Sequence, residues 1–408
     1  MKKLILLALI GFLSIKSFAQ VPGCSTPRYI LPIFQGVDVT TVKYATVTNY
    51  FGQPEDLMMD VYTPSGDTDV KRPVVIVAHG GVFIFGHRSN MEPQCRALAS
   101  LGYVAVSISY RLYPILLGFP NEPKFLQIAL NAAADMKGAI RYMRGNFTRN
   151  DDFKIDTNFI FIGGYSAGAV MATHVAYLDD SDAKVPLMDS IINATPRGLQ
   201  GTTGDPSDYV HSTKVSGVLN LAGALYDANY ISSGEAPLFS LHGDADETVP
   251  YAAGLAFGVP LQGSSLLEQR AAQVGLSSHF LVTIPGGLHA DPVSGAASQT
   301  YRDQFAAQAA VAMKEIMCGP GGAASSALPP LPLEVFPNPA NQLLHLNFGE
   351  MGDYSITILN TFGQKVDQFT QKDQLGVLEL KDWPKGIYFL QAINKKNNQK
   401  TTKKIVVE

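Results

Sequence analysis

Six short apolar runs, free of polar alternation, constrain this chain more than any other feature: residues 74–78, 104–108, 159–162, 215–221, 238–241 and 280–284. Runs of that length and texture read as strands covered on both faces. Helical stretches at 91–101, 125–143, 167–178, 266–274 and 304–317 separate most of them or follow the last. Buried strands alternating with helices imply an α/β fold, a doubly wound and mostly parallel sheet. Ligand chemistry then belongs at the carboxyl ends of its strands. Ahead of this array, residues 37–47 and 57–62 alternate with period two around Gly52-Gln53-Pro54, the pattern of an antiparallel hairpin at a sheet edge.

The texture breaks at Gly319-Pro320-Gly321-Gly322, and glycine, serine and proline continue to Pro332, as in a linker that is flexible first and stiffer later. Behind it the helical period vanishes. Short runs at 343–348, 354–360, 365–369, 377–380, 387–394 and 401–407 read as a small all-β, immunoglobulin-like sandwich. At the other end, Met1-Lys2-Lys3, an apolar run and Ser17-Phe18-Ala19 have the form of a secretory signal cut after Ala19. The expected division is a signal at 1–19, an α/β domain at 20–318, a linker at 319–332 and an all-β domain at 333–408. No segment after the signal is long and apolar enough to cross a membrane.

A formal net charge of -4 leaves no basic footprint for nucleic acid. The lysines crowding the C-terminus read as a solvated edge strand. Three cysteines in an exported chain allow one intramolecular pair. Cys24 and Cys318 flank the α/β domain and could close it, whereas Cys95, in a helix capped by Asn90 and stopped by Gly102, reads as a buried thiol. The spacing pattern holds no metal site, and no cofactor is expected.

Chemistry concentrates at three strand ends. Gly164-Tyr165-Ser166-Ala167-Gly168 joins an apolar run to a helix without breakers, the strand–turn–helix setting of a nucleophilic serine. His79-Gly80-Gly81-Val82-Phe83 ends another run with two glycines, which let backbone N–H groups approach an oxygen that turns negative during acyl transfer. His242-Gly243-Asp244-Ala245-Asp246 follows a third, and there Asp246 is the expected orienting acid, with Asp244 in reserve and Glu247 solvated. Of eight histidines, only His289 follows the last strand in a glycine-rich loop and completes the order serine, acid, histidine. His174, on the helix after Ser166, reads as packed.

These motifs, with Ser107-Ile108-Ser109-Tyr110-Arg111-Leu112, resemble those of α/β-hydrolase carboxylesterases, closest to the hormone-sensitive-lipase-like and type-B branch. The resemblance covers residues 37–318. It implies Ser166 as nucleophile, His289 as base, Asp246 as orienting acid, and an oxyanion hole of Gly81, Val82 and Ala167. It makes Arg111 structural. Val82 stands where the family often has a third glycine, so its side chain narrows the loop. Export points to a small or polymer-linked ester as the substrate, with residues 112–119, Tyr226 and Asp227 expected at its pocket and the polar insertion 179–213, too long for a simple connection, expected as a small lid. A peptidase of the prolyl-oligopeptidase kind shares the triad order, and a non-catalytic surface binder could keep the fold.

Val335-Phe336-Pro337-Asn338-Pro339-Ala340, Gly363-Gln364-Lys365-Val366, Gly386-Ile387-Tyr388-Phe389-Leu390 and Lys403-Lys404-Ile405-Val406-Val407 resemble type IX secretion sorting domains. That resemblance implies the type IX machinery as a partner of residues 333–408, and passage through a bacterial outer membrane to the surface or beyond.

Overall fold

A computed structural model describes residues 21–319, 331, 333–349, 351–361, 364–395 and 400–408. The signal at 1–19, most of the linker and Gly363 lie outside the described residues. An edge hairpin comes first, β1 (Val37–Thr48) and β2 (Pro54–Pro64), paired antiparallel as its alternation requires. There follow β3 (Arg72–Ala78), α1 (Glu92–Leu101), β4 (Val104–Ile108), α2 (Glu122–Arg149), β5 (Ile155–Tyr165), α3 (Ala167–Tyr177), α4 (Pro186–Ala194) and β6 (Gly217–Leu221). The remainder is β7 (Ala224–Leu225), β8 (Leu238–Gly243), β9 (Ala253–Ala256), β10 (Val259–Gly263), α5 (Ser264–Val274), β11 (His279–Ile284) and α6 (Gln299–Cys318).

The six apolar runs are strands of one eight-stranded sheet of order β1-β2-β4-β3-β5-β6-β8-β11. Only β2 runs against its neighbours. Strands β3 and β4 are buried throughout, which explains why their sequences do not alternate. One apolar cluster joins Ile76, Val106 and Ile162 to Met136, Ile140 and Met171 of the covering helices. A second, around Val75, Ala105 and Phe161, packs on Cys95 of α1 and Met313 of α6. Cys24 and Cys318 form a disulfide across 294 positions, and Cys95 is a buried thiol.

Three expectations shift. Helix α1 begins at Glu92 with Met91 as N-cap, because the preceding residues form a separate 3-10 turn whose N-cap is His87. Residues 253–263, not among the expected strands, form the β9–β10 hairpin. The insertion 179–213 carries α4 and packs along α2, with Lys137 Nζ donating to the Leu199 carbonyl at 2.9 Å and Arg141 to Thr203 at 2.9 Å.

In the C-terminal region the strands of both sheets pair antiparallel. A three-stranded sheet joins β12 (Glu334–Phe336), β13 (Leu343–Asn347) and β16 (Leu375–Glu379). A four-stranded sheet joins β14 (Tyr354–Asn360), β15 (Lys365–Gln371), β17 (Gly386–Asn394) and β18 (Lys400–Val407). Inward residues of both, among them Leu344, Leu346, Ile356, Leu390 and Ile405, make the core of a sandwich. Strand β18, which carries Lys403 and Lys404, is an edge.

Candidate active site

The turn between β5 and α3 holds Ser166 at φ 54° and ψ -122°, a left-handed geometry costly for any residue with a Cβ. Its neighbours make room for it. A Cβ on Gly164 would lie 2.5 Å from the Ala78 carbonyl oxygen, and one on Gly168 only 2.1 Å from the same atom. Both glycines are therefore required by the close passage of β3 under the turn. The Ser166 N–H donates to Leu221 on β6 at 2.9 Å, so the turn is tied to both adjacent strands.

Beyond β11, His289 sits in a loop locked to the one after β8. Ala245 N–H donates to the Gly287 carbonyl at 3.0 Å, and a Cβ on Gly243 would meet that oxygen at 2.2 Å. Asp244 accepts the Gly286 N–H at 2.6 Å, so it fastens the two loops together. Tyr165 donates to the His289 carbonyl at 3.0 Å and lays its ring 5.2 Å from the imidazole.

These constraints bring three side chains into line. His289 Nε2 is 2.8 Å from Ser166 Oγ, and Nδ1 is 2.6 Å from Asp246 Oδ2. A nitrogen facing a carboxylate carries the proton, which leaves Nε2 to accept from the hydroxyl. Burial alone would push the Asp246 carboxyl up. Hydrogen bonds from His242 and His289, the charge of His289 and the Val249 N–H outweigh it and hold the group well below the usual carboxylate range. Glu247 is exposed.

The loop after β3 lies against the serine, where a Cβ on Gly80 would be 3.0 Å from that of Ser166. Gly81 (φ 111°), Val82 (φ 58°) and Phe83 (φ 60°) are all left-handed. The Gly81 carbonyl takes the N–H groups of Ile84 and Phe85, and among the described residues no acceptor is found for those of Gly81, Val82 or Ala167. His79 is buried, stacked on Tyr110 at 4.5 Å, and burial keeps its imidazole below its ordinary pKa.

Beside Ser166 opens a cavity with about 570 Å³ of empty space, its mouth included, lined by Val82, Phe83, Phe125, Val170, Tyr226 and Phe257. Tyr226 thus faces it as expected, while Asp227 caps a turn by accepting the Asn229 N–H. The insertion 179–213 does not line it. Loop 112–119 reaches its rim through Phe119, whose ring is 6.0 Å from that of Phe257. Arg111 is bound to Asp135 at 2.8 Å and is structural. Among the described residues no group of three or more His, Cys, Asp or Glu could hold a metal ion.

Residues 59–259 match the BD-FAE family, and residues 334–408 the secretion system C-terminal sorting domain. The chain carries a BD-FAE region on an α/β-hydrolase fold, followed by a C-terminal secretion sorting domain. Esterase LipQ of Mycobacterium tuberculosis is 26% identical to the hydrolase over 243 residues, 55% of this chain and 54% of that protein. The non-reducing polyketide synthase Preu3 of Preussia isomera is 30% identical over 126 residues, 30% of this chain and 5% of the synthase. The chain thus spans about half the length of the first and a small part of the second. Among solved structures, esterase 2 of Thermogutta terrifontis with propionate bound has a TM-score of 0.51 at 20% identity, covering 72% of this chain and 97% of that one. Its butyrate-bound form scores 0.50, covering 69% and 95%. At that identity the likeness speaks for the fold. The sorting domain marks the hydrolase for type IX export to the cell surface or outside. Among the described residues no helix is long and apolar enough to cross a membrane.

The second histidine on the acid, His242, was not legible as such. Its place four residues before Asp246 in the H-G-D-A-D motif was the available signal.

Proposed function

We propose that the hydrolase is a secreted serine esterase. His289 takes the Ser166 proton as the oxygen attacks an ester carbonyl, then gives it to the leaving alcohol, and water frees the acid by the same route. Asp246 holds the Nδ1–H tautomer and balances the imidazolium. The N–H groups of Gly81, Val82 and Ala167 receive the oxyanion, a role that suits donors without other acceptors. The apolar cavity takes the acyl group of a small or polymer-linked ester. In this reading residues 20–318 are the catalytic unit, 319–332 a linker, and 333–408 the part that engages the type IX machinery after a signal at 1–19 has served.

The observation that carries the reading is the unbroken chain Ser166 Oγ, His289, Asp246 at 2.8 and 2.6 Å. The test is hydrolysis of p-nitrophenyl acetate and butyrate by the full chain, with a peptide p-nitroanilide alongside. Ser166→Ala is expected to lower ester turnover by at least about a thousandfold. Turnover unchanged in that variant, or confined to the anilide, would sink the assignment.

A further inference from the structure

The acid at this site is held by a second imidazole. Asp246 Oδ2 lies 2.6 Å from His289 Nδ1 and 3.1 Å from His242 Nε2. The Val249 carbonyl is 3.2 Å from the same Nε2. A ring nitrogen that faces a carboxylate and a carbonyl bears a proton, so His242 is an N–H donor to Asp246. Its other nitrogen is 2.7 Å from Ser264 Oγ, and Ser264 in turn receives Asn220 Nδ2 at 3.0 Å. His242, Ser264 and Asn220 are all wholly buried. The row therefore runs from the buried interior to the acid.

We propose that His242 is a positioning residue: it fixes the Asp246 carboxylate by donating to Oδ2, so that His289 is aimed at Ser166 in the productive tautomer. This rests on the serine-esterase reading above. The remaining oxygen, Oδ1, accepts Thr248 N–H at 2.8 Å and Val249 N–H at 3.0 Å. With four donors on two oxygens the carboxylate cannot rotate about its own bond without breaking several contacts at once. Without His242, Oδ2 would keep only the group it is meant to orient.

Tyr165 on β5 feels the charges of both Asp246 and Asp291, while Tyr251 stands edge-on to the His242 ring at 5.7 Å. Asp244 is committed to Gly286. None of these supplies an N–H to Oδ2.

The test uses the full chain and p-nitrophenyl butyrate, with kcat and KM followed from about pH 5 to pH 9. His242→Leu removes the donor, and His242→Gln keeps an amide N–H near the reach of Nε2. Ser264→Ala leaves the imidazole in place but frees Nδ1. In His242→Leu, kcat should fall about 10- to 100-fold, the worth of one hydrogen bond to a charged group, with KM within about twofold. His242→Gln should recover kcat to within about fivefold, and Ser264→Ala should lose several-fold. A folded His242→Leu that changes only Tm, with kcat as in the wild type, overturns the proposal. If leucine does not fold, wild-type kcat in Ser264→Ala overturns it instead. A wild type that is folded but as inert as Ser166→Ala overturns the esterase reading itself, and the positioning role with it.

Discussion

Asp246 Oδ2 can serve His289 only as an acceptor, and the amide of an asparagine would offer an NH2 in its place or turn it away. Asp246→Asn is therefore expected to trap the His289 imidazole in the wrong tautomer and lower kcat by about ten-thousandfold with little change in KM. Steady-state kinetics at neutral pH measures this. His174 makes a different prediction at the same scale. Its Nδ1 is 2.7 Å from the Val170 carbonyl and its Nε2 accepts the Tyr226 N–H at 3.2 Å. Burial pushes its pKa down to about 4 from an ordinary 6.5. The unfolded chain therefore takes up a proton that the native one refuses. The stability from this site is complete above about pH 6.5 and is lost as pH falls toward 4. Urea midpoints at pH 7 and pH 5 should differ by less in His174→Gln than in the wild type.

At the scale of elements, the β5–α3 turn depends on two glycines that pass within contact of β3. Gly168→Ala should cost about 1–3 kcal/mol, read by chemical denaturation, and carry Ser166 out of line with His289, read by loss of turnover. The β9–β10 hairpin roofs the cavity with Phe257, whose ring is 5.7 Å from that of Phe125. Phe257→Ala should raise KM for the butyrate ester by about tenfold while sparing that for acetate. The strands of the sheet were legible because double burial leaves nothing polar to interrupt them. This hairpin was not, because its turn puts Phe257 (φ 51°) before Gly258 (φ 84°), where asparagine or aspartate usually signals the bend. The insertion 179–213 misled in the opposite way. Its length and polarity suggested a lid, yet polarity there serves the buried cations Lys137 and Arg141 of α2, which need its carbonyls. The meeting of Ser166, Asp246 and His289 was foreseeable from motif and strand-end position together. His242 was hidden because its meaning lies in a contact with Ser264, remote in sequence and supplied only by folding.

For the whole molecule, the Cys24–Cys318 bond joins the start of the described chain to the end of α6. A cross-link over so long a loop restricts the unfolded ensemble, so Cys24→Ser with Cys318→Ser should lower stability by about 2–4 kcal/mol, measured in denaturant with and without reductant. Such a bond suits a protein sent out of the cell. All the residues that shape the nucleophile, from His79 to His289, fall between those two sulfurs. The export address can thus be torn off like a luggage tag: proteolysis after residue 318 is expected to leave ester turnover and Tm of the hydrolase where they were. Whether the enzyme is shed into the medium or kept on the cell would then be decided by what happens to the tag, with no change to the catalyst.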